Sequence, residues 1–159
     1  MVTLSARRPR IGDLVEIPVG SRRAYAQYAI EHRERPRFGS LLRVLAGLHA
    51  DPLTEFSQAL AGPETFYAFV PLRAAGANAG FRIVDRLPLR SEWVTMPPFR
   101  TRAFVPGEAP GWKVWIGDES PLSSVANSEL QRLPVLSTWS PQFLIDRLAS
   151  DWRPEQEPL

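Results

Sequence analysis

Proline sets the first limit on this chain. Sixteen prolines fall within 159 residues, about twice ordinary usage, and each one fixes φ and removes a backbone donor. That density excludes a helical bundle. It permits short strands, tight turns and helices that begin at a proline. A chain of this length buries about two thirds of its unfolded surface, and 44% of its residues are hydrophobic, so one domain can hold together without a metal or a disulfide. There is no cysteine, which excludes a disulfide framework, a cysteine nucleophile and thiolate metal ligands.

Between the prolines the pattern is that of strands. Val15, Ile17 and Val19 share one face of a strand, and Leu14, Glu16 and Pro18 the other. Pro18 puts that strand at a sheet edge or near its own end. Gly20–Ser21–Arg22 turns into a second strand over Arg23–Glu31, with Ala24, Ala26, Tyr28 and Ile30 opposite Tyr25, Gln27 and Ala29, so the two form a hairpin. His32–Gly39 reads as a loop and Leu41–Leu48 as a third strand. Asp51–Pro52 signals a helix start, followed by Leu53, Phe56 and Leu60 at helical spacing and a stop near Gly62. Thr65–Val70 is apolar on both faces and is expected at the sheet centre.

Arg73–Gly80 reads as a loop or weak helical turn, and Phe81–Val84 and Trp112–Ile116 as further strands. The prolines at 88, 97, 98, 106 and 110 restrict anything between them to a few residues. Ser140–Pro141 opens a C-terminal helix with Phe143, Leu144, Ile145, Leu148 and Trp152 on one broad apolar face. The expected fold is α+β, mainly β: a twisted, partly closed SH3-like sheet of five or more short strands with a short middle helix and a C-terminal helix. The domain spans 11–152, after a polar arm at 1–10, and 153–159 is expected to be disordered.

The longest uncharged run, Leu133–Ile145, has thirteen residues and contains two prolines, short of the roughly 20 a membrane span needs. Met1–Asp13 lacks the apolar stretch of a secretory leader, so a cytoplasmic location and no membrane partner are expected. Charge is unevenly placed. Residues 1–50 carry nine Arg against four acids, residues 51–105 six Arg against five acids, and residues 106–159 eight acids against four bases. The small net charge of +2 therefore conceals a basic front and an acidic back, an asymmetry that can orient an encounter with a charged partner.

Catalytic and cofactor patterns are sparse. Only His32 and His49 could serve as imidazole bases; His32 reads as a solvated loop residue and His49 as a structural residue at a strand end. There is no G-x-S-x-G elbow, no phosphate-cradling glycine motif and no histidine spacing for zinc, so no catalytic residue, metal or cofactor is assigned. Arg22, Arg23, Arg33, Arg35 and Arg37 flank a hairpin carrying Tyr25 and Tyr28, the ingredients of an oligonucleotide-binding small barrel. The rest of the chain is not basic, and the phase of Tyr28 with Ile30 explains it better as core, which argues against nucleic acid as the main partner. Trp112 and Trp115 face opposite sides of one strand, which makes Trp115 a candidate exposed anchor for a partner protein, with coverage by a helix the competing reading.

Gly12–Asp13–Leu14–Val15–Glu16–Ile17–Pro18–Val19, followed by Ala24–Tyr25–Ala26–Gln27–Tyr28, resembles the opening of the immunity protein 26 family of bacterial polymorphic toxin systems. Trp112–Lys113–Val114–Trp115, Leu133–Pro134 and Trp139 with the helix after it resemble that family's second half. Ala26 stands where the family usually has glycine and Arg23 where it has its first aromatic. The resemblance implies a non-enzymatic protein that binds and neutralises a cognate toxin domain, often a nuclease. If the toxin is basic, the acidic third supplies the contacts, with Asp118, Glu119 and Glu129 as first candidates beside Trp115 and Tyr25. The same opening motif also occurs in MazF-type ribonucleases, for which Glu16, Arg22 and Arg23 would have to supply the base and hold the phosphate. The sequence leaves the oligomeric state and the identity of the toxin open.

Overall fold

The computed structural model describes residues 2–3, 7–103, 106–107, 111–117 and 127–159. Its strands are β1 (Val2–Thr3), β2 (Asp13–Val19), β3 (Arg22–His32), β4 (Gly39–Leu45), β5 (Glu64–Phe69), β6 (Arg82–Arg86), β7 (Phe99–Ala103) and β8 (Gly111–Trp115). Its α-helices are α1 (Ser57–Ala61), α2 (Leu72–Ala79), α3 (Asn127–Leu130) and α4 (Pro141–Ala149). The fold is α+β and mainly sheet. Six antiparallel strands run in the order β1-β6-β2-β3-β4-β5, and β7 and β8 pair separately. The large sheet stays open, since among the described residues β1 and β5 do not pair with each other.

The hairpin of β2 and β3 forms in the expected phase, with Val15 opposite Ala26 and Ile17 opposite Ala24. The turn between them places Gly20 at φ 62, a left-handed conformation that glycine adopts without a Cβ penalty. Val15, Ile17, Val19, Ala24, Ala26 and Tyr28 enter the main core together with residues of α2 and α4. Leu14 and Tyr25, on the other face, enter a second core with Leu45, Leu60 and Trp93. β2 is an interior strand, and Pro18 is accommodated because the β6 ladder reaches only Glu16.

Thr65–Val70 departs from expectation in an informative way. β5 is the outermost strand of its sheet, not a central one. Its two-faced apolarity arises because Phe66 and Ala68 enter the main core while Tyr67 and Phe69 pack into a third, aromatic cluster with Phe99 and Trp115. The outer end of β5 is covered by Trp139, whose backbone N–H donates to the Phe69 carbonyl at 2.8 Å.

The expected helix at Asp51–Pro52 also differs, because regular helix begins only at Ser57. The Leu53 N–H is drawn to the Tyr25 hydroxyl at 2.8 Å rather than into a helical turn. Leu53, Phe56 and Leu60 still share a target, the second core. Residues 73–80, read as a loop or weak turn, belong to the full helix α2, which Gly80 closes in the left-handed conformation with its N–H on the Ala75 carbonyl. α4 starts as expected: Ser140 Oγ accepts the Phe143 N–H at 3.1 Å, with Pro141 in the first turn.

Residues 153–159, expected to be disordered, pack against the body. Pro154 is buried in a short 3-10 turn, and the Glu157 carbonyl accepts from Arg100 Nη2 at 2.6 Å and also from Gln131 Nε2. The arm at 1–10 likewise contributes β1, which pairs with β6. No helix among the described residues is long and apolar enough to cross a membrane.

Candidate functional site

Two of the residues expected to meet a partner are in the interior. Tyr25 is 1% exposed and Trp115 is 7% exposed, so neither is an anchor on the surface of this fold. Trp115 closes an aromatic box, with its ring centre 5.2 Å from His32, 5.4 Å from Phe38 and 6.0 Å from Phe99. The alternation within β8 told which residues oppose each other but not which face the rest of the chain would cover. Its opposite-facing neighbour Trp112 is half-buried beneath the guanidinium groups of Arg102 and Arg100, at 4.0 and 4.9 Å from its ring centre.

His32, expected in solvent, ends β3 and is buried inside the same box. Its Nδ1 lies 3.4 Å from the Phe38 N–H donor and its Nε2 3.4 Å from the Gly117 carbonyl. With Nδ1 accepting, Nε2 carries the proton and donates, so one ring nitrogen ties the end of β3 to Phe38 and the other ties it to Gly117 just beyond β8. His49 pairs with Arg23 through both backbone groups, and its ring stands edge-on to Tyr25 at 5.6 Å.

Glu16, the base that a ribonuclease would use, is engaged structurally. Glu16 is buried, one oxygen accepting from the Tyr25 hydroxyl at 2.9 Å and the other from Arg82. Burial first pushes the Tyr25 phenol up; the Leu53 N–H bond opposes it, and the Glu16 carboxylate adds to the rise. Asp13, also buried, is matched to Arg86 Nε at 2.8 Å and accepts the Arg10 N–H at 2.7 Å. These are closed charge networks, each carboxylate answered by an arginine of β6.

The basic groups of the hairpin do not form one patch. Arg22 and Arg23 begin β3, while Arg33, Arg35 and Arg37 follow its far end. Nine residues of strand, Ala24–His32, separate Arg23 from Arg33, about 30 Å at ordinary strand rise. The tyrosines between them, Tyr25 and Tyr28, are buried, leaving the oligonucleotide reading without its stacking platform.

The acidic C-terminal third is arranged differently. Glu129 is exposed on α3, Asp146 on α4 and Glu155 on the C-terminal turn. Gln131 Nε2 donates to the Glu155 carbonyl at 2.8 Å and to that of Glu157, which joins α3 to the tail. The Glu157 carboxylate lies 3.4 Å from Arg147 Nη2, which joins the tail to α4. Three acid-bearing segments are thus fastened into one unit. Asp118 and Glu119 lie outside the described residues. Asp146 and Glu155 were not singled out from the sequence, because only the docking of the tail brings them into one unit with Glu129. Among the described residues no group of three or more acids and histidines is close enough to hold a metal ion. No family model, curated protein or solved structure matches this chain.

Proposed function

We propose that the protein is an immunity protein that binds and neutralises a cognate bacterial toxin domain, and that the acid-bearing C-terminal unit is its contact surface. The observation that carries the proposal is the fastening of α3, the tail and α4 through Gln131, Arg147 and Glu157, with Glu129, Asp146 and Glu155 exposed. A surface held by hydrogen bonds presents its charges in a fixed arrangement, so little ordering entropy is lost when a basic partner docks. The resemblance of the β2–β3 hairpin and of the Trp139–α4 segment to the immunity protein 26 family supplies the class of partner. The test is co-expression with the toxin domain encoded beside the protein. The wild type is expected to protect cells and co-purify with the toxin; failure of both overturns the reading. A variant with Asp118→Lys, Glu119→Lys and Glu129→Lys is expected to lose at least about tenfold in affinity, and full protection by it would place the contact elsewhere.

A further inference from the structure

The C-terminal turn of α4 and the adjoining ends of β4 and β5 enclose a cleft of about 340 Å³. Three arginines line it from separate parts of the sequence: Arg22 at the start of β3, Arg147 on α4 and Arg153 beyond it. Its single lining carboxylate among the described residues is Asp151, which is paired with Arg153 Nη1 at 2.9 Å. Arg147 places Nη2 3.4 Å from Glu157 and lies 4.0 Å above the Trp152 ring, but its Nη1 is buried without a hydrogen-bond partner among the described residues. Arg22 is exposed and forms no ion pair with a described residue.

A helix C-terminus ordinarily repels anions, yet this one is closed on itself. The carbonyls of Asp146, Arg147 and Leu148 accept the N–H groups of Ser150, Trp152 and Asp151 at 3.1, 3.0 and 3.3 Å. Asp151 takes the left-handed conformation, φ 53, that makes this closure possible. Arginines outnumber carboxylates three to one among the residues that line the cleft.

Guanidinium forks match the paired oxygens of a phosphate. A bare phosphate would leave most of the space empty, for the volume falls within the range of small-molecule sites, which starts at about 300 Å³. The remaining wall is apolar, built from Leu48, Phe66, Leu148 and Trp152. We propose that this cleft binds a small organic phosphomonoester, its phosphate between Arg22, Arg147 and Arg153 and its body against that wall. The inference concerns a ligand other than the toxin, and although Arg147 also fastens α4 to the tail, Arg22 and Arg153 take no part in the proposed acidic contact unit.

The test is calorimetric titration of the full chain with adenosine 5′-monophosphate as probe, with adenosine and inorganic phosphate in parallel. The monophosphate is expected to bind at least about tenfold more tightly than either fragment, and Arg22→Ala and Arg153→Ala are each expected to weaken it about tenfold. Both residues are only partly buried or exposed, so these variants should retain the thermal transition of the parent. Arg33→Ala, at the far end of β3, should bind as the wild type does. Absence of binding, adenosine binding as tightly as the monophosphate, binding of inorganic phosphate alone, or undiminished binding by both cleft variants would each overturn the proposal.

Discussion

Tyr25 and Glu16 face each other across the β2–β3 ladder, and the phenol donates to the carboxylate at 2.9 Å while accepting the Leu53 N–H at 2.8 Å. One hydroxyl therefore answers two buried groups, and it holds residues 51–56 in their irregular path. Tyr25→Phe removes both bonds while keeping the ring. It is expected to lower the unfolding free energy by about 2 kcal/mol, since a buried acceptor and a buried donor are each left unmet. Urea denaturation of the two proteins measures the difference.

Alkaline pH should destabilise the fold through its tyrosines. The chain has three, and burial raises all of them: Tyr25, Tyr28 with Glu31 adding to the effect, and Tyr67, pushed up to about 12. A phenol with a raised folded-state pKa binds its proton more tightly in the native protein than in the unfolded chain. The associated stability is complete below the ordinary phenol pKa of about 10 and is lost as pH rises from there through the raised values. Thermal transitions recorded between neutral pH and pH 11 are expected to hold steady to about 9.5 and then fall, with phenolate absorbance appearing together with unfolding.

Arg43 is fully buried, with its guanidinium 3.8 Å from the Trp93 ring centre. It donates to the Leu60 carbonyl at 3.1 Å, the Gly62 carbonyl at 2.6 Å and Glu64 at 3.2 Å. The fork thereby terminates α1 and fixes the start of β5. Arg43→Lys keeps the charge but cannot reach three acceptors at once, and is expected to cost about 2 kcal/mol. Arg90, which also lies over Trp93 but is largely exposed, provides the contrast: Arg90→Lys should stay within about 0.5 kcal/mol of the wild type. Thermal or chemical denaturation of the pair decides it.

Removal of Pro154–Leu159 should be felt far from the terminus. Arg100 is fully buried, and its guanidinium donates to the Glu157 carbonyl at 2.6 Å; burial draws its pKa down, partly offset by Glu157. Truncation leaves that cation without its acceptor and frees Gln131, with an expected loss of about 2–3 kcal/mol. A tail that merely trails in solvent would give no change in the denaturation midpoint.

Local pattern carried the sequence reading where neighbours along the chain decide the outcome. Alternation in residues 14–31 yields the hairpin and its register, and Ser140–Pro141 yields the start of α4, because turns and caps are set within a few residues. Coverage is decided at long range and was not legible. Trp115 and Tyr25 look like surface aromatics until β4, β5 and the 51–56 segment are laid over them. β5 looks central because both its faces are apolar, although apolarity reports what lies above and below a strand, not what pairs beside it. The arginines of the cleft come from positions 22, 147 and 153, and no spacing rule connects them.

The pairing of Asp13 with Arg86 and of Glu16 with Arg82 also governs the order of events on a growing chain. The β2–β3–β4 meander can zip from contacts local in sequence, but its two interior carboxylates have no counter-charge until residues 66 and 73 positions later have been synthesised. A nascent chain that stops before β6 would have to bury two anions without a counter-charge, which the interior does not tolerate. β6 is therefore the strand that commits the domain. Its late insertion beside β2 delays burial of Asp13 and Glu16 until most of the sheet has left the ribosome.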